Sequence, residues 1–318
     1  MIENTALTPQ EVADMLKIAK NTVYELIKRG DLKGYKVGKK IRVDTKDVEE
    51  YKNREKNKGN NQVGMPESRN FSSSDTFYPG NNMEDDFVIC GQDVLLDILS
   101  RYIEMCSPGI RIFRSYVGSY NGLLGLYMGK VQAATAHLWD GDSGQYNIPF
   151  VRRLIPGIPT VVIHLACRIQ GFYVTKGNPK NIQGWEDFER PDINLINREK
   201  GCGTRILLDE HLRLLKINGK DIRGYNNECL SHLAVASTVA RGDADVGLGN
   251  EKTGLQVQNI DFIPLQKERY ELVIKKEDMD NPPFKSIIEI LQSDKFKQEL
   301  SGIGGYDLTE TGNIIAEL

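Results

Sequence analysis

The chain has 318 residues, 40% of them apolar and 27% charged, which is ordinary soluble globular material with length enough for two or three domains. No apolar run approaches the roughly 18 residues of a membrane span, and the N-terminus lacks a basic-then-apolar signal pattern, so a cytoplasmic protein with no membrane partner is expected. Five cysteines without C-x-x-C spacing speak against a disulfide framework or a zinc module, and no metal ligands or cofactor are expected.

The formal charge of −3 hides an asymmetry: residues 1–58 carry a net +4 and the remainder a net −7. The basic end is therefore the candidate for a polyanion.

In chain order, residues 8–52 read as helix, tight turn, helix, short hairpin and third helix. Thr8, Pro9 and Glu11 form a capping-box arrangement at the first helix. Val12, Leu16, Val23 and Ile27 supply apolar faces at helical spacing, and Gly30 stands where a C-terminal glycine cap is expected. After it, Tyr35, Val37, Ile41 and Val43 alternate with basic residues around Gly38, the pattern of a hairpin with one charged face.

In a helix-turn-helix the second helix enters the major groove of double-stranded DNA while flanking basic groups meet phosphates. That assigns Lys20, Asn21, Thr22, Tyr24 and Lys28 to the groove, and Lys36, Lys39, Lys40 and Arg42 to the backbone. The stretch "LTPQEVADMLKIAKNTVYELIKRGDLKGYKVGKKIRV" resembles the excisionase-type, MerR-like winged helix-turn-helix. The expected DNA-binding domain covers residues 1–54. Residues 55–86, rich in Asn, Ser, Gly and charge, read as a flexible linker in which Phe71, Phe77 and Tyr78 are isolated aromatics.

Residues 87–318 alternate strand-like and helix-like segments, which argues for α/β architecture with mainly parallel sheet. The unit recurs. "YVGSYNGLLGLYMGKVQAATAHL" and "HLAVASTVARGDADVGLG" share helix, glycine stop (Gly129, Gly242) and strand, which implies two similar lobes. In "INREKGCGTRILLDEHLRLL", Gly201 and Gly203 precede Thr204, read here as the helix cap, and Leu208, Leu212 and Leu215 mark a helical face. A glycine-rich turn feeding a helix N-terminus suits an anion, and one such turn per lobe would close on a ligand from both sides.

Several motifs together resemble the cytoplasmic periplasmic-binding-protein-like domain found behind such helix-turn-helix modules: "CRIQGFYVTKGNP", "NREKGCGTRILLDEHL", "GYNNECLSHLAVASTVARGDADVGLG" and "GIGGYDLTETG". The resemblance implies a type II fold of two α/β lobes around a cleft, and molybdate or tungstate as the ligand. The expected contacts are Gly118, Ser119, Tyr120, Asn121 and His137 from one lobe and Gly203, Thr204, Arg205 and His232 from the other. Arg168, Arg198 and Tyr270 complete the set, with one of the three arginines facing the cleft. His137 and His232 are placed to bond the ligand or a carboxylate such as Asp140 or Glu228. Cys202 replaces the serine or alanine that the family commonly has between the glycines.

The expectation is a one-component transcriptional regulator, not an enzyme and acting as a homo-oligomer, that senses a small oxyanion. The rival ligand is organic, a pterin or a phosphorylated metabolite, with Tyr116, Tyr120 and Trp139 as its aromatic support. A nucleophilic Cys202 is the enzymatic rival, and an architectural protein the third.

Overall fold

The computed structural model describes residues 5–28, 32–38, 40–58, 86–107 and 109–318. They fall into two compact units. The first holds β1 (Ala6–Leu7), α1 (Pro9–Leu16), α2 (Lys20–Lys28), β2 (Tyr35–Val37), β3 (Lys40–Asp44) and α3 (Thr45–Lys58). Thr8 Oγ1 accepts from the Glu11 N–H while the Glu11 carboxylate accepts from the Thr8 N–H, so the capping box is formed. Val12, Val23, Val43 and Val48 are fully buried and knit the helices to the β1-β3-β2 sheet. Each such side chain contributes about 1.5–3 kcal/mol of transfer free energy. Helix α3 runs through Lys58, past the expected domain end at 54, and Gly30 and residues 59–85 lie outside the described residues.

The second unit is built around one nine-stranded sheet. Its first lobe contains β4 (Asp86–Cys90), α4 (Val94–Cys106), β5 (Arg111–Ser115), α5 (Ser119–Tyr127), β6 (Ala133–Ala136) and α6 (Ile148–Leu154). A long strand, β7 (Thr160–Thr175), leaves it for the second lobe, which contains β8 (Leu195–Arg198), α7 (Gly203–Leu215), β9 (Glu228–Cys229), α8 (His232–Ala240), β10 (Val246–Asn250) and α9 (Glu251–Gln256). An equally long β11 (Ile260–Lys275) returns to the first lobe, followed by α10 (Pro282–Gln292), α11 (Asp294–Ile303) and β12 (Ile314–Glu317).

The strand order β5-β4-β6-β11-β7-β10-β8-β9 reads alike from either end. Each lobe has three parallel strands flanked by one antiparallel strand that comes from the other lobe. The repeat found in the sequence is therefore the α5–β6 and α8–β10 pair at equivalent places in the two lobes. Strands β7 and β11 pair antiparallel along their whole length, with register shifts at Pro264/Gln266 and Tyr270/Glu271. This central antiparallel pair is the departure from a mainly parallel sheet.

Each lobe owns its core. Leu95 and Leu99 of α4 pack with Ile287 and Phe296 on one face of the first lobe, while Leu123, Leu126 and Val151 fill the other. In the second lobe Leu208 and Leu212 of α7 cover one face and Val235 and Val239 of α8 the other.

Candidate functional site

Parallel strands launch their helices at one end of the sheet, so α4, α5, α7 and α8 all start at the cleft between the lobes. Gln92 and Asp93 before α4, Gly118 and Ser119 at α5, Cys202 before α7 and His232 at α8 line a single cavity of about 30 Å³. Each helix start carries roughly half a positive charge. Asp93 caps α4 through the Leu95 N–H at 2.8 Å and Ser231 caps α8 through the Ala234 N–H at 3.1 Å, whereas neither α5 nor α7 is capped by a side-chain oxygen. These two uncapped helices are the two turns singled out in the sequence.

The lobes touch here. The Tyr120 N–H, in the first turn of α5, donates to the Gly201 carbonyl of the second lobe at 3.0 Å. A Cβ on Gly118 would stand 2.6 Å from that same carbonyl oxygen and 2.8 Å from Cys202 Cα, so the absence of a side chain sets how closely the lobes approach. On the other rim the Arg198 guanidinium donates to Gln92 Oε1 at 2.6 Å, again from lobe to lobe. Away from the cavity, the 139–146 loop clasps α7: Gly141 N–H donates to Glu210 at 2.9 Å and Trp139 stacks on His211, which stacks in turn on Trp185.

Arg168 is the arginine that faces the cavity. It rises from β7 between Asp93 at 2.5 Å and Glu268 at 2.6 Å, with its guanidinium over the Tyr270 ring. Burial opposes ionisation of Glu268, but the charges of Arg168 and His137 hold its carboxyl far below the usual range. Asp93 is lowered in the same way, its burial being outweighed by Arg168 and by hydrogen bonds from Tyr306 and Leu95. Both carboxylates are therefore ionised, and Arg168 is raised because they more than offset its own burial. Its Nε, however, has no hydrogen-bond partner.

The histidines differ. His137 Nδ1 lies 2.7 Å from Glu268 Oε2, not near Asp140 or Glu228; Asp140 bonds Ser143 and Glu228 bonds Arg205. His232 has a buried, unpartnered Nδ1, and burial, helped by Arg198 and Arg168, depresses its protonation well below 6.5, so it is neutral. Ser119 Oγ accepts the His137 N–H at 3.3 Å, which leaves its own proton for another acceptor. Tyr270 is buried in the cavity wall, its hydroxyl 2.8 Å from Thr135 Oγ1.

The remaining candidates stand elsewhere. Arg205 is buried against Asp209, Glu228 and the Tyr225 ring. Arg198 is tied to Glu199 and to the carbonyls of Cys229 and Leu230, with only Nη1 unpartnered, just behind the cavity. Thr204 is the second residue of α7 and not its cap, which is Cys202; its buried Oγ1 is unpartnered. Gly203 packs against the His137 ring, and Asn121 lies against Gly201. The Cys202 thiol is pushed up chiefly by burial and stays protonated, which removes the thiolate that nucleophilic catalysis needs. Asp93, Gln92, Thr135, Asn250 and Glu268 were not found from sequence, because nothing local marks residues whose partners are distant in the chain: Asp93 pairs with Arg168 and Tyr306, 75 and 213 positions on, and Glu268 with His137, 131 positions before it.

In the first unit, α2 turns Val23 and Leu26 inward and exposes Lys20, Asn21, Thr22 and Tyr24. Lys36 and Lys40 are exposed on the hairpin and Arg42 is half-buried. Lys39 and the side chain of Lys28 lie outside the described residues.

Two α/β lobes that exchange long strands and hold a polar cavity between them define a binding protein of the periplasmic type, here on the same chain as a helix-turn-helix unit. The chain belongs to the PBP superfamily, whose domain description matches residues 100–292, and a helix-turn-helix domain matches residues 6–56. It is 41% identical to the Bacillus subtilis (strain 168) protein YvgK over the full length of both chains. It is also 69% identical over 113 residues, 36% of this chain, to the whole of a Clostridium pasteurianum protein encoded in the 5′ region of a 2Fe-2S ferredoxin gene. Among solved structures, it resembles a Clostridium perfringens protein provisionally assigned as a phosphate ABC transporter substrate-binding protein and solved with phosphate bound. That likeness has a TM-score of 0.51 at 13% identity, covers 70% of this chain and 98% of the other, and speaks to fold alone. A helix-turn-helix domain implies DNA binding, and with a PBP-like domain it points to a DNA-binding regulator that carries a ligand-binding domain. Both are binding types and not catalytic ones. Among the described residues no helix is long and apolar enough to cross a membrane.

Proposed function

We propose that the protein is a one-component transcriptional regulator whose ligand-binding domain closes on a tetrahedral oxyanion, with molybdate and tungstate the first to test. One observation carries the reading. The uncapped starts of α5 and α7, one from each lobe, meet at a cavity that Arg168 and His232 also line, each with a buried nitrogen (Nε and Nδ1) that has no hydrogen-bond partner. Oriented N–H groups and hydroxyls replace the water around an anion without adding a full countercharge, which suits a site whose arginines are already paired. The volume bounds the ligand: about 30 Å³ is two to three times the roughly 10–15 Å³ needed by one water, so the inner cavity takes a group of a few heavy atoms.

An anion that touches both lobes binds the closed form better and shifts the population towards it. Regulation follows if the closed form presents the DNA-binding units of an oligomer differently to their operator. The test is calorimetric titration with molybdate, tungstate, sulfate and phosphate, repeated on Ser119→Ala. Micromolar binding of one anion, weakened about tenfold or more in the variant, supports the reading; silence from all four in folded protein overturns it.

A further inference from the structure

The inner cavity is only the deep end of a larger space. Gln92, Asp93, His232 and Asn250 line it and also line an adjoining outer chamber of about 840 Å³. The chamber alone lies in the range of about 300–1,000 Å³ common for small-molecule sites, whereas the inner cavity falls far below it.

The walls of the two spaces differ in chemistry. The inner one is made of helix starts and buried polar groups. The outer one presents Tyr116, Leu230, Leu233 and Ile303, which are 61%, 76%, 56% and 40% exposed. Leu230 and Leu233 flank Ser231 and His232, so the turn that directs His232 into the inner cavity sets two leucines in the chamber. Scattered exposed leucines need no explanation, but four large apolar side chains converging on the mouth of a polar site mark a surface to be covered. They come from both lobes: Tyr116 precedes α5 in the first, and Leu230 and Leu233 bracket the start of α8 in the second. A group held here would touch both lobes, as the inner cavity does.

We infer that the ligand is an oxyanion carrying an apolar or aromatic organic group, such as a phosphate or sulfate monoester, with its head in the inner cavity and its body in the outer chamber. This rests on the oxyanion reading above and specifies it: a free inorganic oxyanion fills the head position alone. Among the described residues Lys252 is the one lysine or arginine that lines the chamber, where it donates to the Tyr306 hydroxyl, and Arg114, whose guanidinium lies over the Tyr116 ring, is paired with Asp97.

The experiment compares inorganic phosphate with phenyl phosphate, and sulfate with phenyl sulfate, by titration against the full chain and its Leu230→Gln/Leu233→Gln variant. Both leucines are exposed, so the variant retains the fold. The expected result is that one phenyl ester binds about tenfold or more tighter than its parent anion, and that the variant loses this advantage while binding the parent unchanged. Equal affinity for ester and parent, exclusion of the ester, or an advantage that survives in the variant overturns the outer subsite and leaves the oxyanion reading standing. No binding of esters or parents, with molybdate and tungstate also silent, overturns both.

Discussion

Gly203, at the start of α7 in the second lobe, lies against the imidazole of His137 in the first: a Cβ added at 203 would stand 2.7 Å from the ring's Cε1 and 2.8 Å from both nitrogens. The ring cannot swing away at no cost, because Glu268 holds its Nδ1 at 2.7 Å. Together with Gly118 against Gly201, this contact makes glycine backbone part of the surface on which the lobes meet, beside the side-chain links from Arg198 to Gln92 and from Trp139 to His211.

Substituting these glycines should therefore act on closure before it acts on folding. In Gly118→Ala the new carbon meets backbone atoms of Gly201 and Cys202 at 2.6–2.8 Å, which no rotamer change relieves. We expect anion affinity to fall about tenfold or more while the melting temperature of the free protein changes little, since an open form avoids the clash. Gly203→Ala should show a smaller loss, because a side chain rather than backbone gives way. Unchanged affinity in Gly118→Ala would mean that the ligand does not require this inter-lobe contact.

The glycines show what a single sequence can and cannot reveal. "GCGTR" was legible as a turn feeding a helix, and Gly201, at φ +85°, does need the left-handed region. Gly203 has no such need; it is small because His137, 66 positions earlier, lies on it. The repeated helix–glycine–strand unit exposed the two lobes, since periodicity and stop signals are local. Arg168 could be named as a candidate but not chosen over Arg198 and Arg205, because that choice depends on Asp93 and Glu268. Those carboxylates are brought to it by the exchange of β7 and β11 between lobes, a topology that no local pattern encodes.

The stability of the ligand-binding domain should fall in two steps as the solution is acidified. His232 and His211 both have folded-state protonation depressed below 6.5, chiefly by burial. Below that value the unfolded chain takes up protons that the folded chain refuses, so stability is lost as pH falls. Glu268 and Asp93 are depressed likewise, and their contribution, complete above the ordinary carboxylate range, is lost only at lower pH. Urea midpoints at about pH 7.5, about 5.5 and about 4 should decline at each stage. The first decline should shrink in His211→Asn/His232→Asn and the second in Glu268→Gln. A flat profile down to about pH 5.5 would contradict neutral burial of the imidazoles.

Thiol reactivity separates the regulator from an enzyme built on Cys202. That thiol is buried and its ionisation is pushed up, whereas Cys106 is exposed at the end of α4. Native protein should lose the Cys106 thiol first to a disulfide reagent, with Cys202 reacting only after denaturation, and Cys202→Ser should retain anion binding. Fast modification of Cys202 in the folded state, found by peptide mapping, would reopen a covalent or redox role.

The DNA-binding unit offers a test in which position and specificity separate. Lys36 and Lys40 stand exposed on the β2–β3 hairpin, while Asn21 and Tyr24 stand exposed on α2, whose opposite face buries Val23 and Leu26. A lysine that meets a phosphate contributes by counterion release, so Lys36→Ala/Lys40→Ala should weaken binding to all sequences and reduce the salt slope by about 1.8, near 0.9 per contact. A side chain that reads a base edge contributes discrimination instead. Asn21→Ala should cost about 1–3 kcal/mol on an operator selected from a random pool, with little change on unrelated DNA and an unaltered salt slope. Fluorescence anisotropy across a salt series measures both quantities, and anion titration of the same variants should match the parent protein because the cavity is untouched. If Asn21→Ala lowers affinity equally for every sequence, α2 holds the backbone and the groove-reading element must be sought in the hairpin.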